Sequence, residues 1–166
     1  MNLTEQEIQK MIEKIQGSRK YRELGLNSET IRDLIQQEAP HHTSWKKLRK
    51  AVRRKLHNIL APYLGEPDYQ NLMSDLEEIE DTDPGSQEIR NFCLNVLAEH
   101  ASTAERIPFM NDFYSRIFAI TGKPHILLDL ACGLHPLAFP WMDLPVTVQY
   151  HGYDIIQPRV DFINTF

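Results

Sequence analysis

The sequence predicts a mixed α/β fold: a helical N-terminal domain followed by the first strands of an open parallel sheet. Three observations predict it. Apolar residues recur at intervals of three and four along the first 120 positions, the period of helices with one buried stripe. The stretch His125-Ile-Leu-Leu-Asp-Leu-Ala-Cys-Gly133 reads as a short buried strand, Ile126 to Ala131, closed by a tight turn, with a second apolar segment starting at Pro136. Val146-Thr-Val-Gln-Tyr-His-Gly-Tyr-Asp154 alternates like a second strand and ends on a carboxylate. In open α/β sheets, ligands sit at the carboxyl ends of the strands, and glycine lets the backbone approach them. Strand, glycine turn, helix, strand and Asp is the order of an adenosine site in Rossmann-like folds, where the closing acid accepts hydrogen bonds from ribose hydroxyls. Two core strands with a surface Asp would leave the same pattern.

Length and composition set the bounds. A chain of 166 residues suits one ordinary domain, or one and a half. No apolar run is long enough to span a bilayer, and the N-terminus lacks the basic-then-apolar layout of a secretory signal. Cys93 and Cys132 lie in apolar segments and suggest neither a disulfide nor a metal site, so a reducing cytoplasm is the expected location. His41, His42 and His57 are too scattered for metal ligation, and no metal is expected. The formal net charge of −5 argues against a wholly basic nucleic-acid binder. Its distribution points elsewhere.

Thr4-x-x-Glu7 is a capping box for a first helix whose Ile8, Met11, Ile12 and Ile15 share a face ending at Gly17. Ser18-Arg-Lys-Tyr-Arg22 is a small basic and aromatic knot. Ser28 is the expected N-cap of a second helix, with Ile31, Leu34 and Ile35 inward and Pro40 beyond its end. From Trp45 to Leu60 a longer helix carries Trp45, Leu48, Val52, Leu56, Ile59 and Leu60 on its apolar stripe. Lys46, Lys47, Arg49, Lys50, Arg53, Arg54 and Lys55 lie on the same helix with no acid among them. Positive charge concentrated on one helix of an acidic chain is the footprint of phosphate-backbone contact. A solvated helix face is the other reading, although a face serving only solubility would mix signs.

Glu66 to Asp83 is acidic, with Leu72, Met73, Leu76 and Ile79 on a helix face and Asp81-Thr-Asp-Pro-Gly85 as a turn. Ser86 caps the next helix, which turns Ile89, Phe92, Cys93, Val96 and Leu97 to the core. It runs into His100-Ala-Ser-Thr-Ala-Glu-Arg106, and Pro108 opens a further helix carrying Phe113, Ile117 and Ile120 to Gly122. The Ser/Thr cluster and Arg106 therefore fall at a helix junction. After Asp154 a last helix is expected. Two strands do not complete a doubly wound sheet, so the sheet is expected to be truncated, with the rest in a longer protein or supplied by a partner, including a second copy through the unfinished sheet.

Several phrases together resemble the aminoglycoside-resistance 16S ribosomal RNA (guanine-N7) methyltransferases, over essentially the whole chain and in the family's order. They are Ser18-Arg-Lys-Tyr-Arg22, Leu56-His57 leading to Tyr63-Leu64, His100-Ala-Ser-Thr-x-Glu-Arg106, Leu128-Asp-Leu-Ala-Cys-Gly-Leu-His-Pro-Leu-Ala138 and Tyr150-His-Gly-Tyr-Asp154. The chain departs from the pattern at His135, where the family usually has Asn. The resemblance implies a helical domain (1–100) that docks on the 30S subunit and its 16S rRNA. It further implies the start of a Rossmann-like, class I methyltransferase domain (101–166) that binds S-adenosylmethionine. Arg106 would hold the cofactor's methionine carboxylate, with His100, Ala101 and Ser102 lining the same end. Ala131 and Gly133 would form the turn against the cofactor, Asp154 the ribose carboxylate and Tyr63 an aromatic neighbour.

The chemistry of these residue types agrees. Arg106 suits a bidentate carboxylate contact, although a surface salt bridge is its other reading. Asp129 inside the first strand is costly unless backbone N–H groups or a ligand bond it. Cys132 and His135 have no partner at catalytic spacing and read as packing or loop residues. Guanine N7 carries a free lone pair, so methylation there needs no general base, and no catalytic residue is expected. The alternatives are an RNA- or ribosome-binding fragment that does not catalyse, and a different class I methyltransferase sharing the cofactor half.

Overall fold

The structure is a computed structural model and describes residues 1–22, 24–61, 67–79, 83 and 85–166. The chain forms two compact units, Met1–Leu64 with Ile155–Pro158, and Gly65–Asp154 with Arg159–Phe166. This division falls earlier than residue 100, because the helix before His100 packs with the elements that follow Gly133.

The first unit is helical. Helix α1 (Glu5–Gln16) carries the expected capping box: Thr4 accepts from the Glu7 N–H, and the Glu7 carboxylate accepts from the Thr4 N–H at 2.9 Å. Ile8, Met11, Ile12 and Ile15 are all buried. After the short α2 (Arg19–Arg22) comes α3 (Ser28–Glu38), which is capped by Asn27 rather than Ser28. The Asn27 side chain reaches the Glu29 N–H at 2.8 Å, leaving Ser28 as the first helical residue. Helix α4 (Trp45–Leu60) is capped by Ser44 and buries Leu48, Ala51, Val52, Leu56 and Leu60. Ile59, expected on that stripe, is 41 % exposed, because four of the buried positions already follow the 48–52–56–60 spacing. Ile31 and Ile35 of α3, the α1 face and this stripe make one core, closed by Tyr21, Leu26 and Ile156.

The second unit contains α5 (Tyr69–Glu77), α6 (Gln87–Glu99), α7 (Ala101–Ala104), α8 (Met110–Thr121), β1 (Ile126–Leu130), β2 (Gln149–Tyr153) and α9 (Gln157–Thr165). Helix α9 begins among the residues grouped with the first unit. The strands pair in parallel, Asp129 opposite Gly152 and Leu127 opposite Tyr150. The segment after Gly133 is a 3-10 helix, His135–Trp141, with Pro136 at its start and Pro140 inside it. Pro136 falls in the first turn, where its missing N–H costs nothing, and Pro140 removes a donor from the interior of the helix.

Two apolar expectations are corrected here. Strand β1 is not buried on both faces: Ile126, Leu128 and Leu130 are exposed, and so is Tyr153 of β2. The 3-10 helix, α6 and α9 cover the face that carries Leu127 and Tyr150. Helix α8 buries Met110 and Tyr114, while Ile117 and Ile120 face outward, Ile120 at 88 % exposure. The other core positions hold, with Ile89, Cys93, Val96, Leu97, Leu137 and Phe162 packed together. Among the described residues no helix is long and apolar enough to cross a membrane.

Full burial of the α1 face has a measurable consequence. Ile12→Ala should destabilise the first unit by about 3 kcal/mol, whereas Ile120→Ala should change stability by less than about 0.5 kcal/mol. Urea-denaturation midpoints of the two variants check both expectations.

Candidate functional site

At the carboxyl end of β1 the backbone turns sharply. Ala131 takes φ 56° and Gly133 φ 57°, both in the left-handed region. For alanine this conformation costs about 1 kcal/mol, and such strain collects at ligand sites. At Gly133 it is the angle rather than space that favours glycine, since a Cβ would meet only the Arg159 guanidinium, at 3.9 Å. At Gly152 space is tight: a Cβ there would come within 3.2 Å of the Cys132 sulfur. Cys132 is thus a packing residue, as its sequence context suggested, and burial pushes its thiol up to about 12.

Asp154 follows β2 as the pattern predicted, and it is tied into the turn. Its Oδ2 accepts the Gly133 N–H at 3.0 Å and an Arg159 N–H at 2.9 Å. The two side chains of this ion pair are only 4 % and 6 % exposed. Arg159 also donates through Nε to the Tyr69 hydroxyl at 3.1 Å. Asp154 is thus a buried brace that clamps the Gly133 turn to Arg159 of α9.

The second carboxylate behaves differently. Asp129 lies on the covered face of β1, and its Oδ2 accepts from His135 Nδ1 at 2.7 Å and from the Tyr150 hydroxyl at 2.5 Å. With Nδ1–H donating to the carboxylate, His135 Nε2 accepts from the Tyr114 hydroxyl at 2.8 Å. Burial raises the Tyr114 phenol to about 12, and burial followed by the Asp129 hydrogen bond raises Tyr150 further, so both remain O–H donors at neutral pH. Burial alone would raise the Asp129 carboxyl. The hydrogen bonds from His135 and Tyr150, with the charges of His135 and Arg106, outweigh burial and hold it below the usual range. The cost of an acid inside a strand is thus met by two side chains, where the sequence suggested backbone or ligand. His135 is the centre of this network, not a loop residue.

Arg106 lines the same narrow cleft as Thr103, Tyr114 and His135. Among the described residues its guanidinium makes no hydrogen bond or ion pair, and neither does Asp129 Oδ1. His100 is buried at the junction of α6 and α7, with Ser102 Oγ 2.9 Å from its Nδ1. Thr103 ties the junction by donating to the Leu97 and His100 carbonyls. Ala101 is exposed and Ser102 half-buried. Tyr63 lies outside the described residues. The expected set His100, Ser102, Arg106, Ala131, Gly133 and Asp154 therefore falls within one unit. Tyr69, Tyr114, His135, Tyr150 and Arg159 were not singled out for it. A larger hollow of about 550 Å³, lined by Leu76, Phe139, Ile163 and Phe166, is mostly apolar and unsuited to a charged ligand.

The basic helix α4 is described by itself. Lys46, Lys47, Lys50, Arg53 and Arg54 are exposed and Arg49 is half-buried. Lys55 differs, because its Nζ is 2.6 Å from the Glu38 carboxylate, which also meets His42 at 3.1 Å. These partners hold the Glu38 carboxyl below its ordinary value. Lys55 is thus committed to an ion pair within the fold.

A family model described as ribosomal RNA methyltransferase (FmrO) matches residues 17–166. A 16S rRNA (guanine(1405)-N(7))-methyltransferase of Frankia casuarinae is 32 % identical over 96 % of this chain and 56 % of its own length. One of the same name from Proteus mirabilis is 33 % identical over 72 % of this chain and 46 % of its own. The chain spans about half the length of the curated relatives it matches. The solved 16S rRNA methylase RmtB superposes with a TM-score of 0.72 at 29 % identity, over 95 % of this chain and 58 % of that one. The 16S rRNA methyltransferase RmtF, solved in complex with S-adenosyl-L-homocysteine, shares the fold with a TM-score of 0.67 at 23 % identity, over 99 % and 60 %.

Two measurements test the two carboxylates. Arg159→Met removes a buried cation 2.9 Å from the Asp154 carboxylate, so it should cost about 3–5 kcal/mol in chemical denaturation, while the Asp154→Asn, Arg159→Met double variant should recover part of that loss. Asp129 titrates lower folded than unfolded, so its contribution is complete above about pH 4 and is lost as pH falls through the folded value. Asp129→Asn should accordingly flatten the fall of stability on the acid side of pH 4, as read by thermal melts.

Proposed function

This chain belongs to the ribosomal RNA methyltransferase (FmrO) family, and we propose that it serves methylation of 16S rRNA at guanine N7, with S-adenosylmethionine as methyl donor and the 30S subunit as substrate. The observation that carries the reading is the Arg106 cleft. Arg106, whose guanidinium has no hydrogen-bond partner among the described residues, lines the cleft with His135, and His135 in turn holds Asp129, one of whose oxygens has no partner among the described residues. Their chemistry fits the carboxylate and ammonium of an amino-acid end. The bound cofactor would supply an electrophilic methyl group. Arg106 would bind its carboxylate, with His100, Ala101 and Ser102 at the same end. Ala131 and Gly133 would bring backbone close to it, and Asp154, whose Oδ2 braces that turn, would be the ribose carboxylate.

In this reading residues 101–166 begin a Rossmann-like cofactor domain, and residues 1–100 carry the docking surface for the ribosome. Lys46, Lys47, Arg49, Lys50, Arg53 and Arg54 of α4 would meet rRNA phosphates. Because N7 already has its lone pair, the residues need only align the base and exclude water; no general base is required. N7 lies in the deep groove of A-form RNA, so the target guanine must be exposed or flipped, which favours recognition of a folded ribosomal surface.

Transfer of labelled methyl from S-adenosylmethionine to purified 30S subunits by the intact protein tests the reading, with the product mapped to one guanine N7. Binding to 30S without labelling would favour a docking role instead. The Lys46→Glu, Lys50→Glu, Arg54→Glu variant should bind 30S at least about tenfold more weakly at physiological salt, with a shallower salt dependence. Its affinity for S-adenosylhomocysteine should be unchanged. Undiminished 30S binding would remove α4 from the docking surface.

A further inference from the structure

We infer that His135, held by Tyr114, is a positioning residue for the amino-acid end of the cofactor, acting through Asp129; the inference rests on the cofactor reading above. His135 Nδ1 and the Tyr150 hydroxyl converge on the same oxygen, Oδ2, at 2.7 and 2.5 Å. A carboxylate carries two oxygens, and a hydrogen bond to one fixes the direction of the other. With Oδ2 saturated by two donors from two different elements, the Asp129 side chain has one orientation, and Oδ1 is the oxygen left to accept. The Tyr114 hydroxyl in turn fixes the imidazole from α8, at 2.8 Å from Nε2. Three elements around β1 thereby set one angle.

That angle matters because of what lies next to it. Arg106, His135 and Tyr114 line one cleft, and His135 is 2.7 Å from Asp129, so the guanidinium and the carboxylate flank the same imidazole. Yet the two form no ion pair. Two opposite charges kept near each other but unjoined are complementary to a zwitterion, whose ammonium goes to the acid and whose carboxylate goes to the arginine. Without a fixed Oδ2, Asp129 could rotate toward Arg106 and neutralise it, and the site would be lost to an internal salt bridge. His135 thus keeps the two charges available. An Asn amide at position 135 carries an N–H donor of the same kind, so the family's usual residue can serve the same end by a different side chain.

The test compares two probes on the intact protein by calorimetry: S-adenosylhomocysteine, which has the amino-acid end, and 5′-methylthioadenosine, which lacks it. The wild type should prefer S-adenosylhomocysteine. His135→Leu should lose about tenfold of that affinity, the scale of one hydrogen bond to a charged group, with 5′-methylthioadenosine unaffected. His135→Asn should restore most of the loss. Tyr150→Phe, which removes the other donor to Oδ2 and keeps the ring, should show the same selective loss if the leucine variant does not fold. An unchanged preference in His135→Leu and Tyr150→Phe, or an equal loss of both probes, overturns the positioning role. A wild type that binds neither probe overturns the cofactor reading itself.

Discussion

The carboxylate of Asp154 is the constraint on which the second unit depends. It stands at the end of β2 and accepts from the Gly133 N–H at the end of β1, so the two strand ends and their turn are fixed together. The strained angles at Ala131 and Gly133 persist only because the surroundings over-determine them, and this hydrogen bond is part of that surrounding. Its charge is then balanced by Arg159, itself anchored to Tyr69 of α5, 90 residues away in sequence. A buried ion pair of this kind contributes little net stability relative to an apolar replacement, because desolvation offsets the attraction. What it supplies is uniqueness of geometry: with either partner missing, the other is left charged inside the protein.

Much of the helical architecture was legible because helix signals are local. Thr4 and Glu7 satisfy each other within one turn, Ser86 caps α6 as read, and the stripe Ile8, Met11, Ile12, Ile15 needs only the helical period to be seen. Where the answer depends on what lies opposite, the pattern misled. Phe113, Ile117 and Ile120 share a helical spacing, but the cover on α8 lies over Met110 and Tyr114. Ile126, Leu128 and Leu130 are as apolar as any core strand, and nothing in their order says that one face of β1 stays open. Parallel sheets in α/β proteins are ordinarily covered on both faces, which is why the strand read as buried.

The site was half legible for the same reason. Arg106, the glycine turn and the terminal acid follow from residue type and spacing along the chain. The partners that decide what they do come from elsewhere: Tyr114 from α8, Tyr150 from β2, Arg159 from α9. Tyr150 carried a signal that could have been used. In a strand of alternating pattern it falls on the same side as Gly152, and pairing puts both on the face of Leu127 and Asp129, which places a phenol within reach of the strand acid. His135 offered none, because its position depends on the 3-10 turn that contains Pro136 and Pro140.

Asp129 and Asp154 are two acids at the ends of neighbouring strands, and the environment gives them opposite fates. Asp154 is enclosed with a guanidinium and a backbone N–H, so its charge is consumed in holding the fold. Asp129 receives a phenol and an imidazole donor on one oxygen, and among the described residues no cation bonds the other. A sequence reading naturally assigned the ligand to the acid that ends the second strand, because that is where the ribose contact lies in dinucleotide folds. The hydrogen bonding distinguishes the two acids by environment: one carboxylate oxygen of Asp154 is taken by an arginine and a backbone N–H, whereas Asp129 is kept 2.7 Å from a histidine that lines the Arg106 cleft.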